Sequence, residues 1–423
     1  MSVLNGYIQD ILMKFRILVA LFISLLFSTA RAQQLDYFIN KGLQSSPLLN
    51  EFRNQLQASN ADSLLISAAQ KPQVTSQSQI MYAPFNKYVG YDDALTNGGF
   101  YGSVVGVSQY IFNKKIFQNK YENISIQKQE LTNTSKISTS DIKKAITIQY
   151  ITAFTNYQEL KNCQKYLELL NRHKNILKVL VEQGVYKQSD YLSLIIESQS
   201  SEIEISQLKT QLKTDEYALK QLCGISDTSR FTPEIPSIKK AQAVNSANSP
   251  LFMQFKIDSL KITNEKQSIA LNYKPKVNWF ADAGLISSNP LLLYRHLGFS
   301  VGVNMSIPIY DGHQRDLENK KVSIKENSRL NYETYFKNQY TNQILQLNDE
   351  LESTQQSLEM MKQQLQTTNE LAEMLKTQLN TGNASIIELI NNMKNYLSAS
   401  RTMNRLQVRE FEIINELNYL MLQ

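Results

Sequence analysis

Two spacings of apolar residues divide the chain. In long stretches they recur every third or fourth residue, and in four short stretches every second residue. The period-two pattern is clearest at 297–307, where Leu297, Phe299, Val301, Val303, Met305 and Ile307 are apolar while Gly298, Ser300, Gly302, Asn304 and Ser306 are small or polar. Successive side chains of a strand point to opposite faces, so the stretch predicts a strand with one apolar and one wet face. Its eleven residues match the length of a transmembrane β-strand. A partner runs through Val277, Trp279, Ala281, Ala283 and Leu285, with Asn278, Asp282 and Gly284 on the other face. Weaker equivalents come earlier, where Tyr101, Val105, Val107 and Ile111 alternate with Gly102, Gly106 and Ser108. The expected strands are about 73–82, 100–112, 276–286 and 297–309, and the intervening 83–99 and 287–296 carry the Pro, Gly, Asn and Asp of loops.

The other spacing predicts helices. Residues 113–223 contain no proline and a single glycine, Gly184; residues 313–423 contain no proline and a single glycine, Gly382. Each stretch reads as a long helix and a shorter one, separated at the glycine: about 115–181 and 188–222, then about 313–379 and 385–421. Ile344, Leu347, Leu351, Leu358, Met361, Leu365, Ala372, Leu375 and Leu379 keep three- and four-residue steps, with Thr354 and Thr368 filling the gaps. That sustained spacing argues for a coiled coil. The first copy is looser, through Ile146, Tyr150, Ala153, Tyr157, Leu160, Leu167, Leu170, Leu177 and Leu180. At about 1.5 Å per residue each long helix spans roughly 100 Å and each shorter one roughly 50 Å. Further helices are expected near 47–70 and 250–273, before Lys71-Pro72 and Lys274-Pro275.

Those two prolines belong to an internal repeat. Ser46-Pro47-Leu48 and Phe52 recur 203 positions on as Ser249-Pro250-Leu251 and Phe255, and Lys71-Pro72 and Val74 recur as Lys274-Pro275 and Val277. Beyond Val74 the offset drops to 198, pairing Ile111 with Ile309, Gly184 with Gly382, Asp190 with Glu388 and Leu219 with Leu417. A period this long is a whole supersecondary unit and not a solenoid repeat. The expected layout is a first repeat over 33–224, a linker over 225–248 and a second repeat over 249–423.

Composition adds a targeting segment. Met13-Lys14-Phe15-Arg16 precedes the apolar run Ile17 to Phe27, and Ala30-Arg31-Ala32 supplies small residues for cleavage. Residues 1–32 read as a secretory signal peptide, with Met13 an alternative start, and no later run is long enough for a transmembrane helix. The formal charge of +6 is dispersed over 423 residues and makes no case for nucleic acid. Cys163 and Cys223 lie at unequal distances from Gly184, so a hairpin turning there keeps them apart, and both read as small apolar residues on helix faces.

Lipid tolerates no open sheet edge, and four strands cannot close a barrel. The chain must therefore share its strands with other copies. Two copies give eight strands and a filled interior; three give twelve and a lumen. Phe299, Val301 and Val303 are the expected lipid-facing residues.

The pieces together resemble the TolC-type outer-membrane efflux proteins. The resemblance rests on two copies of helix, β-hairpin, long helix, glycine turn and helix. It rests also on the run Pro308-Ile309-Tyr310-Asp311-Gly312 at the strand-to-helix passage, and on a glycine followed six residues later by an acid, Gly184 to Asp190 and Gly382 to Glu388. It implies a homotrimer with a shared twelve-stranded outer-membrane barrel and a periplasmic coiled-coil tunnel. It implies also a periplasmic membrane-fusion adaptor and an inner-membrane RND or ABC pump as partners. By the same resemblance Gly184 and Gly382 mark turns that meet the adaptor. Asp190, Glu388 and Asn391 would line the periplasmic entrance, although a second acid is usual where Asn391 stands. Ala384 and Leu379 occupy positions where the family carries a basic and aromatic latch, and Lys187 is a candidate substitute. Pro308 and Gly312 would set the bend from barrel to tunnel.

Read from the residues alone, Ser385-Ile386-Ile387-Glu388 fits a capping box and Asp190 a helix N-terminus. No catalytic or metal site is expected: His173, His296 and His313 are scattered, and there is no phosphate loop or paired-carboxylate site. Asp92-Asp93 reads as a solvated loop tip. An exit duct for small molecules such as drugs or toxic compounds is the first functional reading. A channel for one-step protein secretion is the second, and a pore-free coiled-coil adaptor in the periplasm the third.

Overall fold

The computed structural model describes residues 34–421, apart from 85, 87, 89, 91–97, 112–113, 228, 242–248 and 381–384. The expected signal peptide, Asp92-Asp93, Gly382 and Ala384 lie outside the described residues, as does the side chain of Leu379. In chain order the elements are α1 (Gln34–Ser45), α2 (Pro47–Ala69), β1 (Gln73–Tyr82), β2 (Gly99–Ile111), α3 (Lys114–Glu182), α4 (Gln188–Leu222), α5 (Pro250–Asn272), β3 (Lys276–Ser287), β4 (Leu297–Ser306), α6 (Gln314–Asn380) and α7 (Ile386–Leu420). A short 3₁₀ turn, Pro290–Arg295, joins β3 to β4. No described helix is long and apolar enough to cross a membrane.

The repeated Ser-Pro-Leu has a local cause. Proline at the first helical position loses no hydrogen bond, and the residue before it is steered out of the helical region, so α1 ends and α2 starts at Ser46-Pro47. Ser46 Oγ accepts the Leu49 N–H at 3.4 Å. α1 is an element that periodicity did not reveal; within twelve residues it buries only Leu35, Phe38 and Gly42. β4 ends at Ser306 and not near 309: Pro308 offers no N–H to a ladder, and Ile309 stands almost wholly exposed.

Compactness divides the chain into two units that cut across the repeat, each drawing on both copies. One unit, Glu51–Ser135 with Pro250–Phe336, carries the sheet. Its four strands run antiparallel in the order β1-β2-β3-β4. β2 and β3 come from different repeats, and their register puts Val107 opposite Ala281 and Gln109 opposite Trp279. Helices near the sheet are tied by side-chain amides. Asn119 and Asn264 each donate Nδ2 to the other's backbone carbonyl, at 3.2 and 3.1 Å, and Asn133 Nδ2 reaches the Pro250 carbonyl at 2.9 Å. Buried amides left without partners would be costly, so the reciprocal pair fixes the register of α3 on α5.

The other unit comprises the described residues up to Asn50 with Lys136–Ser249 and Lys337–Gln423. Here α3, α4 and α7 bury Leu160, Cys163, Leu170, Leu177, Leu194, Ile386, Leu389, Met393 and Leu397 in one cluster. α6 and α7 bury Leu347, Leu351, Ile413 and Leu417 in another. Ile225, Phe231 and Ile238 from the linker lie over Phe38, Tyr150 and Leu219, so the linker covers core despite lacking regular structure. Leu219 and Leu417, a repeat pair 198 apart, are both fully buried. Each contributes roughly 1.5–3 kcal/mol relative to exposure.

Candidate functional site

Three regions carry the residues singled out by sequence: the turns between long and short helices, the strand-to-helix passage after β4, and the faces of the sheet. At the first turn α3 ends in a Schellman motif. The Gly184 N–H bonds the Val181 carbonyl at 3.0 Å and the Val185 N–H bonds the Leu180 carbonyl at 2.9 Å, with Gly184 at φ +76°. Among the described residues a Cβ at Gly184 would meet nothing within 4 Å, so the glycine is required by its backbone angle. Asp190 then accepts the backbone N–H of Lys187 at 3.2 Å, which satisfies an orphan donor at the start of α4. At the second turn Ser385 and Glu388 form the full reciprocal box: Ile387 N–H to Ser385 Oγ at 3.2 Å, Ser385 N–H to Glu388 Oε2 at 3.2 Å. Asp190 and Glu388 thus each engage their own helix start. Asn391 is exposed one turn beyond Glu388, while neighbouring Asn392 is buried and donates to the Thr368 carbonyl. No hydrogen bond or ion pair among the described residues joins Asp190, Glu388 and Asn391.

The strand-to-helix passage contains a feature the motif only hinted at. Asp311 accepts the N–H of His313 at 3.0 Å through Oδ1 and that of Arg315 at 2.9 Å through Oδ2, which caps α6. The Arg315 N–H, followed by the Tyr273 hydroxyl, holds the Asp311 carboxyl below the usual carboxylate range against its partial desolvation. Gly312 and His313 both take positive φ, +67° and +65°. Asp311, Gly312 and His313 thus shape the backbone between Pro308 and the start of α6.

In the sheet, one row of side chains runs Phe299, Ala283, Val105 and a neighbouring one Val301, Ala281, Val107. Phe299, Val301 and Val303 are 86%, 75% and 68% exposed, an apolar band continued by Leu297 and Met305. The opposite face is polar or small at Gly298, Ser300, Gly302 and Asn304, and Ser300 donates to Asp282 at 2.7 Å. β1 and β4 are the two edges.

A group that sequence reasoning missed lies among the helices. Arg401 of α7 pairs with Glu159 of α3 and Glu204 of α4, and its Nη2 lies 3.1 Å from Cys163 Sγ. The Glu159, Cys163 and Glu204 donor atoms fall within 4.8 Å of one another, a spacing that suits a cation, and the Arg401 guanidinium is the cation held there. Burial pushes the Cys163 thiol up, away from thiolate. One step along, Lys394 pairs with Glu197 at 2.7 Å, and Glu197 also accepts from the Tyr166 hydroxyl at 2.9 Å. The available signal was an arginine in step with Leu397 and Asn404 on the buried face of α7.

His173 of α3 is buried and its Nδ1 lacks a partner among the described residues. Burial, then Lys376 and Arg172, hold the imidazole below its ordinary value against the weaker pull of Glu373. A depressed histidine binds its proton more readily unfolded than folded, so stability is present above the unfolded value, near pH 6.5, and is lost as pH falls below it. His173→Gln is expected to flatten that loss; thermal melts of both proteins from pH 7.5 to 5.5 measure it.

No protein-family model matches the chain, and no curated protein matches it in sequence. Solved structures match it in fold. The outer membrane protein VceC of Vibrio cholerae aligns with a TM-score of 0.76 and 14% identity, over 92% of this chain and 97% of that one. The CmeC outer membrane channel of Campylobacter jejuni gives 0.73 and 11%, over 92% and 85%. The MtrE outer membrane channel of Neisseria gonorrhoeae, in its open state, gives 0.72 and 11%, over 92% and 88%. The chain has the fold of the TolC-type outer-membrane channels, and nearly its whole described length takes part in the likeness.

Proposed function

We propose that this protein is a passive exit duct of the outer membrane. A homotrimer would close a twelve-stranded barrel from three four-stranded sheets and continue it as a periplasmic helical tunnel. The observation that carries the reading is the exposed apolar band Leu297–Met305 on a sheet whose edges β1 and β4 are open. Such a band faces hydrocarbon, and such edges are tolerated in lipid only when sister strands pair with them. A pore-free adaptor has no use for four long antiparallel strands with one lipid-grade face. In this reading the mature chain follows signal cleavage after Ala32. A periplasmic adaptor meets the turns at Gly184 and Gly382 and couples the duct to an RND or ABC pump. Asp190 and Glu388, in addition to their helix-capping work, ring the entrance together with Asn391. Small toxic compounds are the proposed cargo; a protein passenger would use the same lumen and is told apart by which inner-membrane pump copurifies.

The test is physical. Purified protein in detergent should have the native mass of a trimer and form conducting channels in planar bilayers. Phe299→Arg, Val301→Arg and Val303→Arg should each weaken folding into vesicles by about 2–4 kcal/mol near the bilayer midplane. A monomer that conducts nothing, with all three arginines harmless, would falsify the duct.

A further inference from the structure

The repeat makes a specific statement about how copies of this chain meet. α4 and α7 are repeat partners of 35 residues each, Gln188–Leu222 and Ile386–Leu420, offset by 198 throughout. Within one chain the second-copy helix α7 packs on α3 and α4 of the first copy. Closing a ring from such chains requires the same kind of seam once more, between the first copy of one chain and the second copy of the next. Shifting each intrachain contact by 198 therefore names residues of the interchain seam.

The shift exposes a chemical difference. Ile390 is buried on α7, but its counterpart Leu192 on α4 is 49% exposed. Arg401 and Lys394 become Ile203 and Ile196, each 62% exposed. The acids and thiol facing Arg401, namely Glu159, Glu204 and Cys163, become Ser357, Thr402 and Met361, and Glu197 facing Lys394 becomes Asn395. The aromatic pair Phe154–Phe411, with centroids 6.4 Å apart, becomes Glu352 and Lys213, both exposed and opposite in charge. Each of these charged contacts of the intrachain seam has an apolar or neutral counterpart, and the aromatic contact farther along has an ionic one.

We propose that the Leu192–Ile196–Ile203 stripe of α4 seats on α6 and α7 of a second copy of this chain, and that this seam lacks the arginine lock of the intrachain seam. The occupant is a second copy because the neutral set Ser357, Met361, Asn395 and Thr402 fits the apolar stripe, while Glu352 meets Lys213. The two seams are then unequal beside the helical turns: Arg401 and Lys394 staple α7 to its own α3 and α4, whereas over Leu192–Ile203 neighbouring chains meet through side chains that form no ion pair, the Glu352–Lys213 contact lying farther along the helices. Widening at this end proceeds between chains. This inference rests on the trimeric reading above.

Crosslinking tests it. Lys213→Cys with Glu352→Cys, treated with a short bismaleimide, is expected to yield a ladder ending at covalent trimer on denaturing gels. Neither single variant nor the unmodified protein, whose Cys163 and Cys223 are buried, should do so. No ladder from a double variant that still has trimeric native mass overturns the seam alone; a monomeric native mass overturns the trimeric reading with it. A second arm rebuilds the lock between chains. Ile203→Arg with Ser357→Glu should lower channel open probability roughly five-fold and recover it in high salt. Unchanged gating in a trimer of the rebuilt variant overturns the unlocked seam.

Discussion

Gly284→Ala is expected to reduce the folded fraction of the protein more than any other single methyl addition in the sheet. A Cβ at Gly284 would lie 2.2 Å from the Ser103 carbonyl oxygen and 2.6 Å from the Val104 Cα. Both atoms are backbone of β2, the strand that pairs β3 across the boundary between the repeats. Overpacking costs about 1–3 kcal/mol where side chains can shift, and here the ladder itself must move, so the cost lies at the upper end or beyond. Two neighbouring glycines calibrate the result. At Gly302 an added Cβ meets the Phe280 ring at 2.5 Å, which a rotating side chain relieves in part; at Gly298 it meets nothing within 4 Å. Folded protein, read as the heat-modifiable band on unheated gels, should fall in the order Gly298→Ala, Gly302→Ala, Gly284→Ala. Equal yields of Gly284→Ala and Gly298→Ala would show that β2 and β3 do not approach as described.

Arg401→Leu should have the largest effect in the helical unit. Without the guanidinium, Glu159 and Glu204 face each other beside Cys163 with their donor atoms within 4.8 Å and no cation. Losing one partner of a buried ion pair costs several kcal/mol; this cluster is partly solvated, with the Arg401 side chain 30% exposed, so about 1–3 kcal/mol is expected. The sign with pH follows from the chemistry. Two unpaired carboxylates raise each other's proton affinity above the unfolded value, so the variant is penalised most at neutral pH and recovers as pH falls toward the carboxylate range. Thermal melts at pH 7.5 and 5 give the comparison. Adding Glu159→Gln and Glu204→Gln to Arg401→Leu should restore most of the lost stability at pH 7.5. A triple variant as unstable as Arg401→Leu alone would mean that lost packing and not charge is responsible.

Much of the local structure was legible because its causes are local. The alternation at 297–305 and the strand Leu297–Ser306 coincide, since a period of two is the geometry of a strand. Gly184 ends α3 because its positive φ suits few other residues, and Ser385 with Glu388 starts α7 because those two side chains meet the donors a helix leaves free. α1 escaped notice for want of length, and the far end of β4 was overdrawn because apolar Ile307 and Ile309 keep the beat after Pro308 has ended the ladder.

The candidate site was legible only in part. Asp190 and Glu388 were recognisable as acids after a glycine, and their hydrogen bonds within their own helix starts are visible in sequence as caps. Asp311 lay inside a recognised run, yet its two backbone acceptors depend on the positive φ of Gly312 and His313, which residue type alone does not reveal.

By itself the sequence determined the doubled unit, the helix stops, the two faces of each strand and the positions that keep an apolar stripe. These depend on residues within a few turns of one another. Long-range packing sets Arg401 between Glu159 and Glu204, lays β2 beside β3, and makes Gly284 tight where Gly298 is open. Those facts depend on which faces meet across hundreds of residues. Periodicity marks a face as apolar but does not carry the identity of its partner.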